Sequence, residues 1–300
     1  MTLKLKRNSM IIVNLKGGLG NQMFQYAMGR ALASSTNQVL KLDLGFLNNQ
    51  TNATIRDYEL SILNVREEFA SHQDTKKYKN LWTKILHKFF PAYRSNPYVK
   101  EKYFDFDPAI ASLAGGRYVD GHWMSEKYFS SIEATIRFEF TFRKNILAEG
   151  KFLHDQILNS NSVCVQVRRG DYVNNPTVSK RHQTTSLAYF EQGISFMKAK
   201  VPNPVFFVFS DDIKWCEENF KGVGNIHFVE KELAGKGAGN SDYLQLMIAC
   251  KHFVISNSTF AWWAAWLCTN PGKIVVAPMN WFNDQKIETK DIYPQGWIKI

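Results

Sequence analysis

Ile11-Ile12-Val13-Asn14-Leu15-Lys16-Gly17-Gly18-Leu19-Gly20-Asn21-Gln22-Met23-Phe24-Gln25-Tyr26-Ala27 opens on a β-branched run, passes through glycines and continues with apolar residues four apart. Met23, Ala27 and Ala31, beside Phe24, Met28 and Leu32, make one apolar stripe, so the spacing predicts a strand over 11–15 and a helix after it. A strand that is apolar almost throughout is covered on both faces, as in parallel sheets. The pattern returns along the chain. Further strand candidates are 39–44, 163–167, 205–209, 226–229, 253–255 and 274–277, with helical patterns near 186–200, 213–220, 242–250 and 259–267. Such alternation predicts a doubly wound α/β architecture.

At 300 residues the chain is about twice the common domain length, which suggests two domains or one large α/β unit. Residues 55–117 are basic, aromatic and irregular, and a second strand–helix series restarts at Val163. The expected division is therefore 1–155 and 156–300, two Rossmann-like halves facing each other, with the irregular basic insertion in the first. Apolar residues at 45% and charged ones at 21% exclude disordered, collagenous and disulfide-scaffold classes. Thirty-seven Lys and Arg against 27 Asp and Glu leave a net charge of +10, which favours anionic partners. The scattered Cys164, Cys216, Cys250 and Cys268 read as small buried hydrophobes rather than disulfide or zinc partners. No apolar run approaches the roughly 18 residues of a membrane span, so a cytoplasmic protein is expected.

Four segments could carry chemistry. In the first, Gly18 and Gly20 would let the backbone approach a ligand at a helix N-terminus, and the plain alternative is a tight turn with Asn21 near the helix start. Met23 at the third glycine position rules out a dinucleotide fingerprint, and no GK[ST] follows for a P-loop. In the second, Val163-Cys164-Val165-Gln166-Val167-Arg168-Arg169-Gly170-Asp171-Tyr172, two arginines leave the carboxyl end of a buried strand, where open sheets bind ligands. A guanidinium fork matches phosphate oxygens, and one arginine of the pair is expected on phosphate with the other pinned by a carboxylate. In the third, Ser256-Asn257-Ser258-Thr259-Phe260 follows a strand and opens an apolar helix, serving as a cap or as an anion seat. Trp262, Trp263 and Trp266 beyond it read as core. In the fourth, Ser210-Asp211-Asp212, like Asp105-Phe106-Asp107, could bind a metal, but Ser210 or Asp211 as an N-cap explains the former equally. Lys76 to Lys102 is a basic amphipathic stretch that suits either an anionic membrane surface or a solvated helix face.

These motifs, with Asp120-Gly121-His122-Trp123-Met124-Ser125-Glu126-Lys127-Tyr128-Phe129, resemble those of the bacterial α-1,2-fucosyltransferases of glycosyltransferase family 11, in the family's order. The resemblance implies an α/β fold of GT-B type, two Rossmann-like domains facing across a cleft. It implies inverting transfer of L-fucose from GDP-β-L-fucose to the 2-hydroxyl of a terminal galactose, with no cofactor and no required metal. On that reading Arg168 meets the β-phosphate and Asn21 reaches in from the other half. Gly18 and Gly20 adjoin the donor, and Ser256, Asn257, Ser258, Thr259 and Phe260 hold the diphosphate. Asp211 or Asp242 meets the guanine or ribose. His122, Trp123 and Glu126 lie on the acceptor side. Arg169 and Asp171 support one another, and Asp171, His182, His122 and Glu126 are the candidates for the base. The implied partners are GDP-fucose and a galactose-terminated or lipid-linked glycan, with peripheral contact to anionic membrane and no nucleic acid. Transfer of another GDP-sugar, a metal-dependent reaction and non-catalytic glycan binding are the rival readings. One departure stands out. Where the family motif begins with histidine this chain has Gln166, which cannot carry a proton at neutral pH.

Overall fold

The computed structural model describes residues 9–50, 55–79, 97–146, 148–169, 185–230, 239–284 and 286–300. The chain divides into two compact units, Met1–Arg143 with Lys290–Ile292, and Lys144–Thr289 with Tyr293–Ile300.

The first unit carries a four-stranded parallel sheet of β1 (Met10–Asn14), β2 (Val39–Asp43), β3 (Tyr98–Lys100) and β4 (Arg117–Asp120), ordered β2-β1-β4-β3. Helix α1 (Leu19–Thr36) connects β1 to β2 and lies so close to the sheet that a Cβ on Gly29 would fall 2.1 Å from Val13. Helix α2 (His72–Lys79) and the short α3 (Glu133–Glu139) complete the regular elements used below. Ile11, Ile12 and Val13 are wholly buried, as a strand covered on both faces requires. Strands β3 and β4 fall in and beside the stretch expected to be irregular. Both are short and mix polar with apolar residues, so they lack the apolar run that marks β1 and the strands at Asn161–Val167 and Pro204–Ser210.

The second unit holds six parallel strands: β5 (Asn161–Val167), β6 (Pro204–Ser210), β7 (Ile226–Val229), β8 (His252–Ile255), β9 (Val275–Ala277) and β10 (Ile298–Lys299). Their order, β7-β6-β5-β8-β9-β10, is the doubly wound order of a dinucleotide-type sheet, with a switch point between β5 and β8. The helices are α4 (Ala148–Leu158), α5 (Leu187–Lys200), α6 (Ile213–Asn219), α7 (Gly239–Ala249) and α8 (Thr259–Leu267). Trp262 and Trp263 are wholly buried, and all four cysteines are free and buried.

Residues 144–155, placed by sequence with the first half, lie in the second unit, because α4 packs against α7 and Gln245 donates to the Lys144 carbonyl at 3.2 Å. Residues 290–292 return to the first unit, where Asp291 accepts from the Phe106 N–H at 3.0 Å and pairs with Lys127 at 2.5 Å. Among the described residues no helix is long and apolar enough to cross a membrane.

Candidate active site

In parallel sheets, residues just past the carboxyl ends of neighbouring strands come side by side, and the second unit's site follows from its register. Val167 pairs with Ser210 across β5 and β6. The next residues therefore meet. Arg168 Nη1 lies 3.0 Å from Asp211 Oδ2, and Asp211 Oδ1 accepts the Arg169 N–H at 2.9 Å. One residue further on, Arg169 Nε lies 3.3 Å from Asp212 Oδ2, and its guanidinium sits 4.1 Å over the Trp215 ring. Both arginines are thus held by carboxylates, where the sequence suggested one on phosphate and one pinned. Asp211, expected with Asp242 as an alternative at the guanine or ribose, is a carboxylate partner of Arg168. Asp212, rather than Ser210 or Asp211, caps α6 by accepting the Trp215 N–H at 3.2 Å, while Ser210 Oγ accepts the Asp212 N–H. Arg169 finds a carboxylate partner in Asp212. Asp171 and His182 lie outside the described residues.

On the other flank of β5, Gln166 pairs with Ile255 of β8, so the segment after β8 begins beside Arg168's strand. Ser256 Oγ donates to Gln166 Oε1 at 2.5 Å, the Ser256 N–H donates to the Gln166 carbonyl at 3.1 Å, and both residues are buried. Asn257 Nδ2 donates to the Trp281 carbonyl at 3.0 Å and its Oδ1 accepts from Thr185, with 4% of the residue exposed. The side chains of Ser256 and Asn257 therefore belong to the scaffold, and Asn257 is closed to glycosylation. Ser258 caps α8 through the Ala261 N–H, and the first intrahelical bond runs from Trp262 to the Ser258 carbonyl at 2.9 Å. This leaves the leading N–H groups of Thr259 and Phe260 without an intrahelical acceptor at the positive end of the helix dipole. Ser258, Thr259 and Phe260 are half-buried. Asp242 is 3% exposed in the first turn of α7, next to Tyr243, whose hydroxyl accepts the Ser210 N–H at 2.7 Å and so fixes the end of β6. A guanidinium thus stands on one side of the switch point and an open helix N-terminus on the other, two kinds of group suited to an anion.

In the first unit the glycine turn is shaped by Gly17. Its φ of +75° lies in the left-handed region, and a Cβ there would come 2.5 Å from Asn21 Nδ2. Gly18 is extended and stands at the N-cap of α1, and the Asn21 N–H donates to its carbonyl at 3.0 Å. Past the strand ends, Asp120 Oδ1 accepts from Asn14 Nδ2 at 3.0 Å and Lys16 Nζ at 2.9 Å, and Oδ2 accepts from Tyr98 at 2.7 Å. Burial opposes ionisation of Asp120, but the Lys16 charge and these donors outweigh it and hold the carboxyl at about 2. Glu101 follows β3, and its carboxylate accepts the His122 N–H at 2.6 Å and the Trp123 N–H at 2.8 Å. Burial pushes Glu101 up to about 7, against the pull of those two N–H groups and of Lys16.

Of the expected acceptor-side residues, His122 is half-buried with its ring 6.0 Å from Phe104, and Glu126 is half-buried at the start of a short turn. Trp123 is wholly buried, so its ring is not open to solvent. Asp107 of the DxD triplet caps a helical turn through the Ala109 N–H at 2.8 Å. Glu101, Lys16 and Asn14 were not singled out by sequence. Their signal was positional, since each stands at the carboxyl end of a strand, but β3 was not legible.

The fold is that of the GT-B glycosyltransferases. Among solved structures, a mutant Arabidopsis thaliana FUT1 in complex with GDP matches with a TM-score of 0.54 at 12% identity, covering 97% of this chain and 76% of that one. The model of Glycosyl transferase family 11 matches residues 2–300, and the chain belongs to this family. It is 35% identical to an alpha-1,2-colitosyltransferase of Escherichia coli, over 97% of this chain and 99% of the relative. It is 28% identical to the galactoside 2-alpha-L-fucosyltransferase Sec1 of Mus musculus, over 88% of this chain and 66% of the relative. The protein is therefore a glycosyltransferase.

Proposed function

We propose that the protein transfers L-fucose from GDP-β-L-fucose to the 2-hydroxyl of a terminal galactose, with inversion at C1 and without a required metal. The observation that carries the reading is the pairing, at one switch point, of the Arg168 guanidinium with the half-open N-terminus of α8. As the bond between fucose C1 and the β-phosphate oxygen breaks, negative charge collects on the phosphate. A fixed cation and helix N–H groups aimed there stabilise the transition state more than the ground state. The acceptor oxygen attacks C1 from the opposite face and gives up its proton to a base, for which Asp171, His182, His122 and Glu126 are the candidates. Asp211 and Asp212 are committed to Arg168 and Arg169, which supports charge neutralisation by guanidinium rather than by a cation at this acidic pair. Asn21, at the glycine turn, keeps the role its motif implies, and His122 and Glu126 are the acceptor-side contacts. With a net charge of +10, the protein is proposed to work at the cytoplasmic face of an anionic membrane on a lipid-linked glycan.

A second donor is favoured by the 35% identity to an alpha-1,2-colitosyltransferase. Colitose differs from fucose by the loss of the 3-hydroxyl, so the diphosphate seat serves both sugars unchanged. Incubation with each nucleotide sugar and a panel of galactosides, followed by mass spectrometry and linkage analysis, tests the proposal. A 2-linked α-fucosyl product formed in the presence of EDTA is expected. Exclusive use of colitose, another linkage, or loss of turnover in EDTA would each remove the corresponding part.

A further inference from the structure

Glu101 takes two consecutive backbone N–H groups, those of His122 and Trp123, from the loop that leaves β4. That loop needs holding. Trp123 adopts a φ of +58°, a region costly for a bulky L-residue, and its buried Nε1 has no hydrogen-bond partner among the described residues. Both features raise the energy of this conformation, and folding alone would favour a relaxed loop. The contact is also built from the other side. A Cβ on Gly121 would lie 2.5 Å from Glu101 Cβ and 2.6 Å from Trp123 Cε2, so only glycine lets the carboxylate, the turn and the indole close together. The backbone registers the pair as well, since Lys100 is opposite Asp120 and the Glu101 N–H donates to the Asp120 carbonyl at 2.9 Å.

Resting on the acceptor-side reading above, we infer that Glu101 is a positioning residue, which holds the Asp120–Ser125 loop in the strained form that presents His122 to the acceptor sugar. It acts through the loop and not on the reacting atoms.

Glu101→Ala and Glu101→Gln, measured as full-length enzyme, test this in two ways. By hydrogen exchange, the His122 and Trp123 amides should lose at least about tenfold of their protection in Glu101→Ala, with the neighbouring Tyr118 and Val119 of β4 unchanged. In kinetics, the acceptor KM should rise about tenfold or more in Glu101→Ala and less in Glu101→Gln, which keeps one acceptor oxygen, while donor KM and kcat stay within about twofold. Unchanged exchange at 122–123 would overturn the inference, as would faster exchange with an unaltered acceptor KM. A parallel loss of both substrates' parameters with a lowered melting temperature would make Glu101 a general structural residue and also overturn it. The kinetic ratio is taken with whichever donor and acceptor the wild type uses. Failure of the functional reading thus shows in the wild-type substrate profile, and failure of this inference only in the comparison of variant with wild type.

Discussion

Gln166 and Ser256, ninety residues apart, share a buried hydrogen bond of 2.5 Å that joins the end of β5 to the first residue after β8. The bond crosses the switch point where the donor is proposed to sit. It explains how glutamine occupies the position of the motif histidine. The side chain accepts from a serine within the scaffold, a role that needs an oxygen lone pair and no titratable proton.

Gln166→Ala leaves the Ser256 hydroxyl buried and unsatisfied beside a small cavity. A loss of about 1–3 kcal/mol in unfolding free energy is expected, with a raised donor KM, because the Ser256–Thr259 segment loses its tie. Denaturant unfolding and donor kinetics measure the two effects. Gln166→His is expected to keep most activity and to introduce no new ionisation into the pH–rate profile.

Arg168→Ala should cost on the order of 3 kcal/mol or more of transition-state stabilisation, seen as a fall of about two orders of magnitude or more in kcat/KM. Arg168→Lys should restore only part, since an ammonium cannot match the fork geometry. Near wild-type kcat/KM in both would end the assignment.

Asp211→Asn tests the carboxylate that orients Arg168 through Oδ2 while its Oδ1 accepts the Arg169 N–H. The amide can keep the backbone contact but removes the charge partner. Donor KM is expected to change several-fold with kcat altered less than in Arg168→Ala. An effect as large as that of Arg168→Ala would instead place Asp211 on the reacting atoms.

Asp120 and Glu101, at adjacent strand ends of the first sheet, give pH effects of opposite sign. Asp120 is lowered from 3.8 to about 2, so its contribution, on the order of 2 kcal/mol, is present above pH 3.8 and is lost as pH falls toward 2. Glu101 is raised from 4.5 to about 7, so the folded state binds the extra proton between those values, and stability declines as pH rises through that window. Lys16 and Asp120 are charged groups that act on it, and His122 contacts it through its N–H. Melting temperatures across pH 2 to 8 should show a low-pH limb that flattens in Asp120→Asn and a limb between 4.5 and 7 that flattens in Glu101→Gln.

Much of the α/β frame was legible in the chain itself. Strands β1, β5, β6, β8 and β9 and the helices that follow several of them announce themselves because burial on both faces demands apolar runs, and the run Thr259–Leu267 matched its helix end to end. The segments that begin at Gly17, Arg168, Ser210 and Ser256 were legible for the same reason, since each follows the end of such a run. Tertiary structure alone decided the partnerships. Tyr98–Lys100 and Arg117–Asp120 become strands only by pairing with each other and with β1. Arg168 meets Asp211, Gln166 meets Ser256, and Glu101 meets the His122 and Trp123 amides because parallel register aligns strand ends that lie far apart along the chain. Local spacing reveals where a strand ends, but not which other end will lie beside it.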